Sequence, residues 1–182
     1  MRKNILFCAV LLGAAMTTVA AEPAGPVEIN LAETRCNVTR GTGILAELGG
    51  RDAFQLNFDP AQTKAADFTF APLRINQSDR NLKIRLEVYL AEGKSPTEIH
   101  LLLMDRDGEI IPFAQTLPAG KTGWIALEYK IDPAKTFSRS WGSRKADRKL
   151  DFPIRAFEII CHYKQPGYIG FGKLSVSAPE EK

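Results

Sequence analysis

The chain predicts an all-β fold, an antiparallel two-sheet β-sandwich of jelly-roll type. Three observations carry this: apolar and polar residues alternate with a period of two along most of its length, turn residues punctuate the runs, and no segment keeps a helical period for three turns. The clearest alternation is Leu82-Lys83-Ile84-Arg85-Leu86-Glu87-Val88-Tyr89-Leu90, with aliphatic residues at every even position. Such a pattern is a strand with one face on a core and the other toward water. Ala53–Phe58, Trp124–Ile131 and Lys173–Ser177 repeat the period, whereas the continuous apolar runs Ile99–Met104 and Ile154–Cys161 suit strands covered on both faces.

Turn signals lie between these runs at Gly49-Gly50, Asp105-Arg106-Asp107-Gly108, Pro118-Ala119-Gly120 and Gln165-Pro166-Gly167. The Asp107-Gly108 step predicts a hairpin between Ile99–Met104 and Glu109–Phe113. Short strands at near-regular spacing without intervening helices favour a sandwich over a parallel sheet. The one long irregular stretch runs from Asp132 to Leu150, too long for a simple connector and therefore a candidate functional loop.

Residues 1–21 read as a secretory signal peptide: Met1-Arg2-Lys3-Asn4, an apolar run from Ile5 to Ala15, and small residues at Val19-Ala20-Ala21. The apolar run is too short for a stable membrane span, so export, to the periplasm or beyond, without membrane insertion after cleavage is the expectation. A Pro/Gly-rich leader, residues 22–26, then precedes one domain over residues 27–178 and a charged tail, 179–182. Removing residues 1–21 takes Arg2 and Lys3 from the 24 basic residues and nothing from the 21 acidic ones, so the charge falls from +3 to +1. Overall basicity therefore offers no argument for a nucleic-acid partner.

Export leaves Cys36 and Cys161 of the three cysteines. An even pair in an oxidising compartment permits a disulfide, worth about 4 to 5 kcal/mol for so long a loop in the chain-entropy account. Cys161, in Phe157-Glu158-Ile159-Ile160-Cys161, equally suits a small buried hydrophobe.

The candidate ligand-binding residues are Trp141, Trp124, Arg139, Arg144 and Lys145. Six cationic side chains and one acid fall between Lys135 and Lys149, with Trp141 in their midst. An indole there can stack a sugar ring while Arg139, Arg144 or Lys145 bonds to hydroxyl, carboxylate or sulfate groups. Trp124 shares its parity with Glu128 and Lys130 and is expected to face outward, whereas Tyr129 shares that of Ile125 and Leu127 and is expected in the core. The alternatives are a solvated loop whose Trp141 tucks onto the sandwich, and a Trp124 that covers a sheet edge.

No catalytic motif accompanies these residues. His100 and His162 stand apart from any H-E-x-x-H, paired-Cys or G-x-S-x-G pattern, and a lyase or glycosidase would need a constellation that the sequence does not display. Asp105-Arg106-Asp107-Gly108-Glu109 gathers carboxylates but lacks the further ligands of a calcium loop, so turn chemistry explains it better. The sequons Asn37-Val38-Thr39 and Asn76-Gln77-Ser78 carry no functional weight.

The order of segments resembles the galactose-binding-like jelly-roll domains that serve as carbohydrate-binding accessory modules of secreted polysaccharide-degrading enzymes such as β-agarases. The likeness rests on Arg51–Phe58, on Asp67-Phe68-Thr69-Phe70-Ala71-Pro72-Leu73 before Asn81–Ile84, and on the closing Tyr168-Ile169-Gly170-Phe171-Gly172-Lys173-Leu174-Ser175-Val176. The resemblance implies a non-catalytic module with a carbohydrate partner. It also implies a structural calcium, but many members carry aspartates on the last strand where this chain has Gly172-Lys173, so no cofactor is expected. A second expectation, of a different class, is an envelope protein-interaction domain without a small ligand that uses the 135–149 loop.

Overall fold

The structure is a computed structural model and describes residues 27–70, 75, 81–144 and 146–177. The expected signal peptide, leader and charged tail, together with Lys145 and the second sequon, lie outside the described residues.

Eleven strands form among the described residues: β1 (Val27–Asn30), β2 (Cys36–Arg40), β3 (Thr42–Leu48), β4 (Arg51–Phe58), β5 (Ala65–Phe70), β6 (Leu82–Leu90), β7 (Glu98–Met104), β8 (Ile110–Thr116), β9 (Gly123–Ile131), β10 (Ala156–His162) and β11 (Gly167–Ser177). All pairings are antiparallel. The front sheet has the order β3-β4-β11-β6-β9, with β1 also pairing β11, and the back sheet the order β2-β5-β10-β7-β8. The chain thus builds the sandwich that its alternation predicts, and the β7–β8 hairpin turns at Asp105–Glu109 as expected.

The even positions of β6, Leu82 to Leu90, are all buried, as is Tyr129 on β9. Phe68 of the back sheet sits 4.8 Å from Phe54 and 4.9 Å from Phe171, both of the front sheet, so the inner faces interlock through aromatic rings. Phe70 and Phe157 stack across the β5–β10 pair at 5.5 Å. Each such buried side chain contributes about 1.5 to 3 kcal/mol of apolar transfer, which makes this layer the dominant source of cohesion.

Two expectations are corrected by the registers. Cys36 lies opposite Phe70, and Cys161 opposite Ala66, on the two sides of β5. Four residues along β5 and two strand spacings put their Cα atoms about 16 Å apart, far beyond the roughly 7 Å limit of a disulfide. Both are free thiols. Cys161 is fully buried, and burial pushes its thiol up; burial also raises Cys36, to about 11.

The second correction concerns the continuous apolar runs. Their outer positions are not covered by a further layer: Leu102 is buried, but Met104, Ala156 and Ile160 remain half-buried on the outside of the back sheet. In the denatured protein without reductant, Cys36 and Cys161 should both be alkylated, and reductant should leave the thermal midpoint unchanged. A mass increase on reduction that maps to these two residues would contradict this geometry.

Candidate functional site

The Asp132–Leu150 loop is held from beneath by two carboxylates of the β7–β8 turn. Asp105 is fully buried and Glu109 is 2% exposed. Glu109 Oε1 accepts the Arg148 amide at 2.8 Å and Oε2 the Asp147 amide at 3.1 Å. Asp105 Oδ1 accepts the amides of Asp107 and Glu109 at 2.9 and 2.8 Å, while Oδ2 accepts that of Asp151 at 3.3 Å. Burial raises the Asp105 pKa, and these amide bonds pull the other way. Two of the three carboxylates in the Asp105–Glu109 turn are therefore spent on main-chain amides, and the third, Asp107, is exposed and lies 3.4 Å from Arg106.

Apolar contacts fix the same loop at its flanks. Phe137 packs edge-on against Phe113 at 5.4 Å, Leu150 is buried, and the Phe137 amide donates to the Arg148 carbonyl at 2.7 Å. Arg148 takes a left-handed φ of 63°, a conformation rare for a side chain of this size, to present that carbonyl and its amide at once.

Trp141 is clamped where the loop passes the edge of β8. The Ile110 amide donates to the Trp141 carbonyl at 2.7 Å, and the Trp141 amide returns to the Ile110 carbonyl at 3.2 Å. Gly142 follows with φ 96°, and a Cβ there would lie 2.7 Å from the Gly108 carbonyl, so only glycine lets the loop lie so close. Residues directly opposite in an antiparallel bridge share a face. The registers then align Ala156, Met104, Ile110 and Trp141 in one row across the outer back sheet, with Thr69, Glu158, Leu102 and Pro112 in the next. A shallow hollow opens between these rows beside Phe157. Trp141 is 42% exposed, and it does not tuck away onto the core. Arg139 and Arg144, two and three residues from it, are exposed and form no ion pair with the described residues.

Trp124 faces outward as its parity predicts, but on the front sheet, the opposite side of the sandwich. Its surroundings are full. Its Nε1 donates to the Leu48 carbonyl at 2.9 Å, Tyr89 meets it edge-on at 5.6 Å, and the Arg51 guanidinium lies 4.4 Å over the ring. Leu48 closes β3, and β11 and β6 lie between β4 and β9, so this bond requires the front sheet to curl until the β3–β4 hairpin reaches over its own face. Gly170 lies beneath the Leu48 side chain and beside the Tyr89 Cβ, where the hairpin comes over the sheet. Glu87 binds Arg51 and, at 2.9 Å, Arg85. Burial alone would raise Glu87, but the two guanidiniums outweigh it and hold the carboxyl below its usual range. Trp124 is thus a structural residue, and it shares no site with Trp141.

Sequence reasoning missed two further groups. His100 and His162 have ring centroids 4.7 Å apart on the outer back sheet, where burial and then His100 push His162 down, toward the neutral imidazole. Glu158 is raised by burial and by Asp67, which is itself bound to Arg40 at 3.0 Å through Nε. At one end of the sandwich a cavity of about 440 Å³ opens between residues 90–97 and 116–122. Only the cross-strand register brings the histidines together, and two isolated strand positions gave no sign of it.

Replacing Glu109 by Ala removes the acceptor of two part-buried amides and should cost about 1 to 2 kcal/mol in chemical denaturation. Trp141 emission should shift toward the solvent-exposed range in the same variant. Because Glu87 is depressed in the folded state, its contribution is complete above the ordinary carboxylate pKa of about 4.3 and is lost as pH falls through its lower native value. Trp124 emission should report that acid loss, and Glu87→Gln should remove the transition.

No family model matches the chain, and no curated protein matches it either. Solved structures do. The family 11 carbohydrate-binding module of a cellulosomal cellulase of Clostridium thermocellum superposes with a TM-score of 0.56 at 12% identity, over 95% of this chain and 99% of that one. A xylan-binding module, CBM15, gives 0.52 at 15% identity over 86% and 98%. An exo-beta-agarase gives 0.54 at 10% identity over 88% of this chain but only 24% of that enzyme, so the chain spans about a quarter of its length. The fold is therefore the jelly roll of carbohydrate-binding modules, as the order of segments implies.

Proposed function

We propose that this chain is an exported, non-catalytic carbohydrate-binding module whose stacking platform is Trp141. The observation that carries the reading is an indole exposed on the outer back sheet and fixed by two main-chain hydrogen bonds to Ile110. A sugar presents an apolar C–H face that packs on such a ring, and a platform already fixed in place loses little entropy on binding. Met104, Ile110 and Pro112 extend the apolar surface beside it, and the exposed Arg139 and Arg144, with Lys145 next in the chain, are the hydrogen-bond donors of the reading. Similarity to modules described as binding xylan and a β-1,3-1,4-linked tetrasaccharide supports this class of ligand. Export rests on residues 1–21, and the reading assigns the protein to the periplasm or the exterior.

A second reading, an envelope protein-interaction domain, is favoured by Leu45 and Ile44, which stand 70% and 46% exposed on the edge strand β3. Binding to a polysaccharide panel separates the two. Trp141→Ala should weaken glycan binding at least about tenfold and shift the melting temperature by no more than about 2 °C. Trp124→Ala should do the reverse, losing about 2 kcal/mol or more of stability with affinity unchanged. Undiminished binding by Trp141→Ala removes that residue from the site, and loss of partner capture on Leu45→Glu would favour the second reading.

A further inference from the structure

We infer that the glycan read at Trp141 is anionic, a chain bearing uronate or sulfate groups. This deepens the carbohydrate-binding reading and rests on it. The argument is one of charge placement. Anchoring the 132–150 loop withdraws two nearby carboxylates from solvent: Asp105 and Glu109 are buried and bonded to main-chain amides, so their oxygens are not offered to the exposed guanidiniums. The acids within the loop are also engaged. Asp132 lies 3.5 Å from Lys135, and Asp147 Oδ1 accepts the Lys149 amide at 2.9 Å. Arg139 and Arg144 are left exposed, two residues before and three after Trp141 in the chain, in a stretch from Lys135 to Lys149 with six cations and one acid.

A rigid apolar platform flanked by uncompensated guanidiniums fits a ligand that joins an apolar ring face to planar or tetrahedral oxyanions, the groups that guanidinium binds in fork geometry. On the front face Arg51 and Arg85 share the Glu87 carboxylate, Lys83 pairs with Glu128 at 3.0 Å, and Lys173 with Glu28 at 2.9 Å, so most cations there have an internal partner. Arg139, Arg144, Arg148 and Lys149 form no ion pair with the described residues, and all four fall within eleven residues around Trp141.

The test uses matched ligands that differ only in charge: oligogalacturonates against their methyl esters, and a sulfated galactan against the same galactan after desulfation. The full mature protein should bind the charged member of a pair about tenfold tighter at 50 mM salt, and the preference should vanish near 1 M, where screening acts within about 3 Å. Arg139→Gln with Arg144→Gln should abolish the preference, whereas Lys130→Gln on the front sheet should leave it intact. Equal affinity for both members of each pair overturns the inference and leaves the carbohydrate reading standing. No binding to any of the four ligands overturns both. Duplex DNA bound as tightly as the sulfated galactan, with no effect of Trp141→Ala, would also overturn it, since bare charge attraction would then suffice.

Discussion

Two buried carboxylates determine what this sandwich presents to its surroundings. Asp105 and Glu109 sit in the β7–β8 turn and together accept five main-chain amides, three of them from Asp147, Arg148 and Asp151 of the long loop and its exit. A carboxylate withdrawn from water is costly unless its lone pairs are satisfied, and here main-chain amides satisfy them. The reverse dependence holds as well. A loop of that length has no ladder of its own, and its amides near the turn find their acceptors in those side chains. Breaking either partner exposes the other, so hairpin and loop order as one unit, and Trp141 inherits a fixed position from it.

The front sheet meets a different constraint. Its curl brings the Gly49-Gly50 turn to Tyr89 and Trp124, with both glycines at positive φ and no room for a Cβ at Gly49 beside the Tyr89 ring. The inner wall of that curl is lined with the chain's own side chains, and the Arg51–Trp124 stack is closed by Glu87. The aromatic surface inside the curl is taken up by contacts within the chain. One tryptophan thus serves the fold, and the other, at the edge of the back sheet, remains exposed.

Much of this architecture is written in local patterns. β6 has the bounds that its alternation predicts, and Trp124–Ile131 lies within β9 with Tyr129 inward and Trp124 outward. β2 and β3 carry weaker marks because they lie at sheet edges: Ile44 and Leu45 are adjacent, apolar and both exposed, which defeats a two-residue period. The roles of the two tryptophans were legible only as parity. The bond that covers Trp124 comes from Leu48, 76 residues earlier, and nothing near Trp124 announces it. The failed pairing of Cys36 with Cys161 has the same origin, since both flank β5 but at different heights along it. Composition counts side chains, and only register says which of them meet.

The cationic character of the Trp141 edge follows from the way the loop is anchored. An uncharged anchor, such as an asparagine pair, would hold fewer amides and would leave no formal charge beneath the loop. Carboxylates hold more, but they create buried negative charge with no cation among their described hydrogen-bond partners. Exposed guanidiniums a few residues away are then favoured by the field of the buried pair, at a cost that water screens only in part. The exposed basic residues of the loop are not paired to these carboxylates, and their hydrogen-bond donors point to solution rather than to the anchor. The loop is thus fixed through its main chain, and its exposed arginine side chains take no part in the anchor.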